Sequence, residues 1–291
     1  MKNFIDAKSL LKNYKKYIII DCRGQLMDNT YGVKSYEESR LPGAFFMDMD
    51  TDLSGPVGAH GGRHPLPDMK VFTQKVASFG ITKDSAVVVY DDWIFASARL
   101  VWMLKYIGVN NVKVLLGGIN AWKENAGELE TGTPSASVIN DSTKQESLVQ
   151  ELLAYKNEVT PQIPMASVVD VQGIIANGSH TLVDVRGRSR YLGHVEPLDR
   201  VPGHIPTALN VCYEGCYTAD GLQPLDTIKE LFKEVSERDQ APVVYCGSGI
   251  SAPVAMLAME EIGLSPILYL GSYSDWISYA ENPIATEESQ N

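Results

Sequence analysis

The sequence is poor in cysteine, in basic residues and in long apolar runs. Four cysteines in 291 residues are too few for a disulfide scaffold, so we expect free thiols. Lys and Arg number 25 against 36 Asp and Glu, and the net charge of −11 argues against a nucleic-acid partner. No run of about 18 apolar residues occurs, and the N-terminus has no apolar run of signal-peptide length. We therefore expect no membrane span and a cytoplasmic protein.

The sequence does contain an internal repeat. "FIDAKSLLKNYKKYIIIDCRG" near the start is echoed by "SVVDVQGIIANGSHTLVDVRG", and "RLPGAFF" is echoed by "RVPGHIP". Five pairs of positions recur in the same order, at separations between 154 and 163 residues. They are Asp21 with Asp184, Pro42 with Pro202, Asp91 with Cys246, Gly108 with Gly263 and Trp122 with Trp276. The repeat predicts a duplicated domain.

Each half alternates short continuous apolar runs with helical patterns. Such runs suit strands that are covered on both faces of a mainly parallel sheet, so the fold class is α/β, with two tandem domains of sheet flanked by helices. The segment between the halves is rich in Ser, Thr, Gly and acidic residues. We predict an N-terminal domain over 1–127, a linker over 128–160 and a C-terminal domain over 161–291.

The stretch "YCGSGISAP" places Cys246 between a predicted strand and a helix that begins near Ser251. In open α/β sheets this carboxyl edge is where ligands bind. Gly247 and Gly249 let backbone N–H groups converge, and together with the helix dipole these donors favour a thiolate or a charged persulfide sulfur. The alternative is a buried thiol ahead of a flexible turn.

Two chemistries suit a cysteine held in such a loop. A cysteine phosphatase needs an arginine that closes the loop, but Ala252 stands at that position. Sulfur transfer needs a thiolate that takes up a sulfur atom and stores it, and this neutral loop permits that. The loop therefore favours sulfur transfer over phosphoryl transfer.

On these residues the chain resembles a tandem-domain sulfurtransferase of the rhodanese family over nearly its whole length. The resemblance implies that Cys246 is the active cysteine and that Asp91 marks the first domain as non-catalytic. The loop "CGSGIS" is similar to the 3-mercaptopyruvate type, and because Gly247 and Ser248 carry no positive charge, thiosulfate should be the poorer donor.

The resemblance also implies the other site residues. Arg190 and Arg200 would bind the donor carboxylate, with Arg186 structural. Ser248, His64 and Asp48, or Asp50 in place of Asp48, would form a proton relay. The loop residues expected to contact the substrate are Gly247, Gly249, Ile250 and Ser251.

Other polar residues have simpler interpretations. Arg188 is as well explained by a solvated face, and His204 by a role in holding a turn. Cys212 and Cys216 with His194 or His204 do not have the spacing of a closed zinc site, so we predict no metal.

The predicted reaction is a double displacement. Cys246 takes sulfur from 3-mercaptopyruvate, pyruvate leaves, and a small thiol, thioredoxin or cyanide accepts the sulfur, without a metal or organic cofactor. The alternatives are a thiosulfate:cyanide sulfurtransferase and a non-catalytic persulfide carrier. The first domain either completes the active site through His64 and Asp48 or serves as a scaffold.

Overall fold

The computed structural model describes residues 1–25, 28–158, 165–218 and 221–287. By its contacts the chain divides into two compact units. Unit 1 comprises Met1–Gly55 and Leu66–Ile163, and unit 2 comprises Pro56–Pro65 and Pro164–Asn291. We call Pro56–Pro65 the arm; it belongs to unit 2 although unit 1 flanks it on both sides in the sequence.

Unit 1 is a parallel sheet with helices between its strands. The strands are β1 (Phe4–Ile5), β2 (Ile18–Asp21), β3 (Phe45–Phe46), β4 (Val87–Tyr90) and β5 (Val112–Leu115), in the order β1-β5-β4-β2-β3. The helices are α1 (Ala7–Leu11), α2 (Tyr31–Glu38), α3 (Met69–Ser78), α4 (Phe95–Tyr106), α5 (Gly118–Glu124) and α6 (Ser142–Glu158). β4 is buried along its whole length, as its unbroken run of apolar residues predicts.

Unit 2 repeats this sheet. Its parallel strands are β6 (Met165–Ala166), β7 (Leu182–Asp184), β8 (Leu209–Asn210), β11 (Val243–Tyr245) and β12 (Ile267–Tyr269), in the order β6-β12-β11-β7-β8, and β9 (Tyr217–Thr218) pairs antiparallel with β10 (Gly221–Leu222). The helices are α7 (Val168–Asn177), α8 (Arg188–Tyr191), α9 (Leu225–Leu231), α10 (Lys233–Ser236), α11 (Ser251–Glu261) and α12 (Ser272–Trp276). The predicted α/β class with two mainly parallel sheets is confirmed.

The repeat extends to a buried ion pair at the end of the second strand of each large sheet. Arg23 Nη2 lies 2.6 Å from Asp21 in unit 1, and Arg186 Nη2 lies 2.6 Å from Asp184 in unit 2. Each aspartate also accepts the backbone N–H of its arginine at 2.9 Å. The Asp-x-Arg-Gly motif therefore builds the same buried corner twice, which agrees with a structural role for Arg186.

Part of the segment predicted as a linker is helical. Within 128–160, α6 packs against α3 and buries Val149 and Leu152. These apolar residues are too sparse in a polar stretch to produce a clear helical period, which is why the sequence did not indicate the helix. The domain limits 1–127 and 161–291 stay predictions. No helix among the described residues is both long enough and apolar enough to cross a membrane.

Candidate active site

Cys246 follows β11 directly, at the carboxyl edge of the large sheet of unit 2. Its side chain is buried, with 1% of its surface exposed. The backbone N–H of Gly249 donates to Sγ at 3.2 Å, and the Ser272 hydroxyl oxygen lies 3.8 Å from the same sulfur. Gly249 has a φ of +77°, a left-handed conformation that suits glycine and turns its N–H toward the sulfur.

The hydrogen-bond donors around the sulfur decide its protonation. Burial raises the pKa of Cys246, but hydrogen bonds from the Ser251 side chain, the Ser248 and Ala252 backbone and the Ser272 side chain lower it by more. The net effect is a pKa below the ordinary cysteine value. Such a site favours the thiolate, which is the nucleophilic form.

The start of α11 supplies two of these donors, Ser251 and Ala252. Ile250 caps the helix, and Ser251 and Ala252 form its first turn with their N–H groups free of intrahelical partners. Pro253 is tolerated because this turn needs no N–H from it. The expected loop residues Gly249 and Ser251 thus contact the sulfur itself, and Ile250 links them.

Ser248 and His64 form a pair beside the cysteine. His64 Nδ1 lies 2.9 Å from the Ser248 hydroxyl oxygen, and Ser248 is 7% exposed. His64 belongs to the arm, so the arm brings an imidazole into unit 2 next to the cysteine loop. A hydroxyl in contact with an imidazole can pass a proton between the sulfur loop and solvent.

Two guanidinium groups meet over Gly247. A Cβ placed on Gly247 would lie 3.1 Å from Nη2 of Arg63 and 3.3 Å from Nη2 of Arg190. The absence of a side chain at this position lets both cations stand next to the cysteine. Arg190 was expected to bind the substrate; Arg63 was not singled out from the sequence. Its only signal is its place before His64 in "GGRHPLPD".

Two buried carboxylates hold these arginines. Glu196 accepts from Nε and Nη2 of Arg190 at 3.1 and 2.7 Å, and Asp199 accepts from Nη2 of Arg190 at 3.1 Å. The other oxygen of Asp199 pairs with Nη1 of Arg63. Glu196 also contacts Arg186, at 3.2 Å. Asp199 therefore links the arm to the segment that carries Arg190.

The remaining predicted residues have other partners. Arg200 is exposed, and its Nη2 donates to the carbonyl of Ile277 at 2.5 Å. Asp48 lies in unit 1, where one carboxylate oxygen accepts the N–H groups of Asp50 and Thr51, each at 2.9 Å. Asp48 thus caps a turn within unit 1, and the hydrogen bond of Arg200 is to the backbone near α12. Burial, followed by the charge of Asp48, raises the pKa of Asp50.

The equivalent loop of unit 1 contains a carboxylate where unit 2 has the sulfur. Asp91 accepts the backbone N–H groups of Ile94, Ala96 and Ser97 at 2.6, 2.8 and 3.1 Å. Ile94 has a φ of +68°, so it keeps the left-handed conformation that Gly249 has in unit 2. The loop of unit 1 therefore keeps a shape that binds an anion, but the carboxylate of Asp91 already occupies the place of that anion.

Cys212, Cys216 and His204 have surroundings unlike those of Cys246. Burial raises the pKa of Cys216 to about 12 and raises that of Cys212. His204 is buried, with Nδ1 2.7 Å from the carbonyl oxygen of Tyr191. Among the described residues, no group of three or more His, Cys, Asp or Glu side chains is arranged to hold a metal ion.

Comparison with known proteins identifies the family. A family model for the rhodanese-like domain matches residues 6–125 and 167–279. A Pseudomonas aeruginosa protein named "Probable 3-mercaptopyruvate sulfurtransferase" is 33% identical over 276 residues, 92% of each chain. A Mycobacterium tuberculosis protein named "Putative thiosulfate sulfurtransferase SseB" is 36% identical over 269 residues, 91% of this chain and 89% of that protein. The structure of 3-mercaptopyruvate sulfurtransferase from Leishmania major matches with a TM-score of 0.77 and 28% identity, over 94% of this chain and 73% of that one. The chain therefore belongs to the rhodanese-like family, and each of its halves contains one such domain.

Proposed function

We propose that the protein is a sulfurtransferase that moves sulfur from 3-mercaptopyruvate through a persulfide on Cys246 to a thiol acceptor. One observation carries the proposal. A buried cysteine with a lowered pKa lies at the edge of a parallel sheet, ringed by hydrogen-bond donors and next to two guanidinium groups. This combination supplies a nucleophile and a place for an anionic donor.

Arg63 and Arg190 are the groups that would bind the donor carboxylate. Guanidinium groups recognise carboxylates through paired N–H donors, and both of these stand over Gly247, one residue from the sulfur. If 3-mercaptopyruvate is held there by its carboxylate, its thiol extends toward Cys246. Arg190 keeps the role expected from the sequence, and Arg63 takes the second place for which Arg200 was the candidate.

The first step transfers one sulfur atom. The Cys246 thiolate attacks the donor sulfur, a new S–S bond forms, and the C–S bond breaks with its electron pair going to the carbon. The products are a persulfide and the enolate of pyruvate. The persulfide S–H proton moves to the enolate carbon, and the Ser248–His64 pair is placed to carry it. No oxidant is consumed.

The second step returns the thiolate. An acceptor thiolate, from a small thiol or from thioredoxin, attacks the outer persulfide sulfur, and Cys246 leaves as the thiolate that its hydrogen-bond donors stabilise. Cyanide would accept the sulfur in the same way. Neither step requires a metal or an organic cofactor.

The test is a persulfide assay on the purified protein. Incubation with 3-mercaptopyruvate should add one sulfur atom to the intact mass and release pyruvate, and Cys246→Ser should do neither while keeping its circular dichroism spectrum. Cys212→Ser is the matched control and should behave as the unmodified protein. Pyruvate release by the Cys246→Ser variant would overturn the proposal.

Thiosulfate is the second candidate donor. The paired guanidinium groups fit a sulfonate as well as a carboxylate, and the Mycobacterium tuberculosis relative is named "Putative thiosulfate sulfurtransferase SseB". Pyruvate release from mercaptopyruvate, compared with thiocyanate formation from thiosulfate and cyanide, separates the two. A carrier that depends on a partner protein would gain no sulfur from either donor. Cytoplasmic location stays a prediction, which cell fractionation tests.

A further inference from the structure

The charges next to Cys246 are balanced, although the sequence around them is rich in arginine. Arg63 and Arg190 share the carboxylate of Asp199, and Arg190 also pairs with Glu196. Behind them, Arg186 pairs with Asp184 and Glu196. The three arginines therefore face three carboxylates.

The carboxylates and the cations differ in exposure. The side chains of Glu196 and Asp199 are 3% exposed, whereas those of Arg63 and Arg190 are 31% and 21% exposed. A bound anion therefore meets the guanidinium groups, while the two carboxylates stay behind them and reduce their field. Within the described part of the chain, Nη1 of Arg190 and Nη2 of Arg63 make no hydrogen bond, so N–H groups remain for a ligand.

We propose that Asp199 is a specificity-determining residue that makes the site select monoanionic sulfur donors over dianionic ones. The inference rests on the proposed function and deepens it. Glu196 also accepts the backbone N–H groups of Leu198 and Asp199, each at 3.1 Å, so it shapes the turn. Asp199 is the carboxylate whose charge can be removed with less effect on that turn.

The reason is electrostatic. Near neutral pH 3-mercaptopyruvate carries one carboxylate charge, whereas thiosulfate carries two negative charges and leaves as sulfite after giving up its outer sulfur. Both donors must approach a thiolate that is itself negative. Asp199 and Glu196 offset part of the positive charge of the two guanidinium groups. The remaining positive charge stabilises a donor with one negative charge better than a donor with two. Loss of the Asp199 charge helps the dianion more than the monoanion.

The experiment compares two variants at position 199 with a distant control. Asp199→Asn removes the charge, and Asp199→Glu keeps it on a longer side chain. Asp226→Asn lowers the net negative charge equally, but on an exposed side chain of α9 paired with Lys229. The measured quantity is kcat/KM for thiosulfate divided by kcat/KM for 3-mercaptopyruvate, at fixed ionic strength.

Asp199→Asn should raise this ratio roughly tenfold, which corresponds to about 1.4 kcal/mol. Asp199→Glu and Asp226→Asn should leave it within about twofold of the unmodified protein. An unchanged or lower ratio in Asp199→Asn would overturn the proposal, because a merely structural residue affects both donors alike. Equal changes of the ratio in the Asn and Glu variants would also overturn it, because only the Asn variant loses the charge.

A measurement on the unmodified protein keeps the proposal testable if Asp199→Asn does not fold. Pyruvate, a monoanion, should protect Cys246 from iodoacetamide at lower concentration than sulfate, a dianion, at equal ionic strength. Better protection by sulfate contradicts a site balanced against dianions. Failure of the proposed function looks different: Cys246 would then gain no sulfur mass from either donor, whatever stands at position 199.

Discussion

At the scale of single residues, the reactivity of Cys246 depends on donors that reach a buried sulfur. Burial alone would keep the thiol protonated, as it does for Cys216. Cys246 differs because the Ser251 hydroxyl and backbone N–H groups of the loop point at its sulfur. Two buried cysteines in one unit thus have opposite pKa shifts, and the difference lies in the groups around each sulfur.

Removal of the Ser251 hydroxyl tests this account. Ser251→Ala should raise the pKa of Cys246 by roughly one to two pH units, because a hydrogen bond to a charged group contributes about 1.5–3 kcal/mol. The pH dependence of Cys246 alkylation by iodoacetamide measures it, and the midpoint should move to higher pH. Ser236→Ala is the control. The Ser236 hydroxyl, at the end of α10, donates to the carbonyl of Phe232, so its loss should leave the alkylation midpoint of Cys246 unchanged. An unmoved midpoint in Ser251→Ala would show that the backbone donors and Ser272 set the pKa without it.

The residues that sequence reasoning found came from two sources. Cys246 lies in a local pattern that carries chemical meaning, and the family resemblance indicated Ser248, His64 and Arg190. Arg63 and Asp199 touch each other across 136 positions of the chain, and no local pattern records such a contact. Long-range pairing of this kind is visible only once the fold places the two segments together.

At the scale of elements, the arm is held on unit 2 by a series of contacts. Its Gly61 N–H donates to Asp275 at 2.7 Å, its His60 ring stacks on Tyr279 at a centroid distance of 4.0 Å, and its Arg63 N–H donates to the Ser274 hydroxyl at 3.1 Å. These contacts fix the backbone that carries the Arg63 and His64 side chains.

A pair of glycines in the arm allows a matched test. A Cβ on Gly62 would lie 2.5 Å from the carbonyl oxygen of Gly271, whereas a Cβ on Gly61 would be 3.6 Å from its nearest neighbour, Pro65. Both have positive φ, so alanine strains both backbones, by roughly 1–2 kcal/mol. Gly62→Ala should lower kcat/KM for 3-mercaptopyruvate at least about tenfold more than Gly61→Ala, because only it pushes the arm away.

Steady-state kinetics with 3-mercaptopyruvate measures this difference. Circular dichroism serves as the control and should show that both variants keep the fold of the unmodified protein. Equal kinetic losses in the two variants would mean that backbone strain, and not the position of the arm, causes them.

At the scale of the whole molecule, the loops that follow β4 and β11 have the same shape but hold different negatively charged groups. Unit 2 places a thiolate among the donors of its loop, and unit 1 places the carboxylate of Asp91 there. Burial raises the pKa of Asp91 from 3.8 to about 6, although hydrogen bonds from Ser97, Ile94 and Ala96 oppose the rise. Ionisation of Asp91 thus lowers the free energy of unfolding at neutral pH.

Asp91→Asn tests this cost through stability. Because the folded pKa is raised, the contribution of Asp91 to stability is complete below about pH 4 and is lost as the pH rises through about 6. The stability of Asp91→Asn relative to the unmodified protein should therefore increase by up to roughly 3 kcal/mol between pH 4 and pH 7. Thermal unfolding over that range measures the difference.

The exposed Asp226→Asn is the control and should keep a constant difference in Tm over the same range. Sulfur transfer should continue in Asp91→Asn, because Asp91 belongs to the other unit. A relative stability that falls with rising pH would show that the loop donors outweigh burial and that the Asp91 pKa is depressed.

The repeated motifs made the fold of the whole chain predictable. Trp122 and Trp276, like Asp21 and Asp184, recur because each sheet needs the same buried residues in the same places, so sequence order alone indicates two similar sheets. The assignment of the arm was not predictable in this way. Nothing in "PVGAHGGRHP" states which unit it contacts, since that depends on partners such as Asp275 far along the chain.

The arm has a consequence for how the two halves depend on one another. A gene fragment that encodes only the second half would supply the nucleophile and its cradle, but neither Arg63 nor His64, which come from codons inside the first half. The two halves of the sequence are therefore not self-sufficient pieces: the first encodes residues that pack beside the thiol of the second. Cutting the chain between them would separate Cys246 from two of its neighbours.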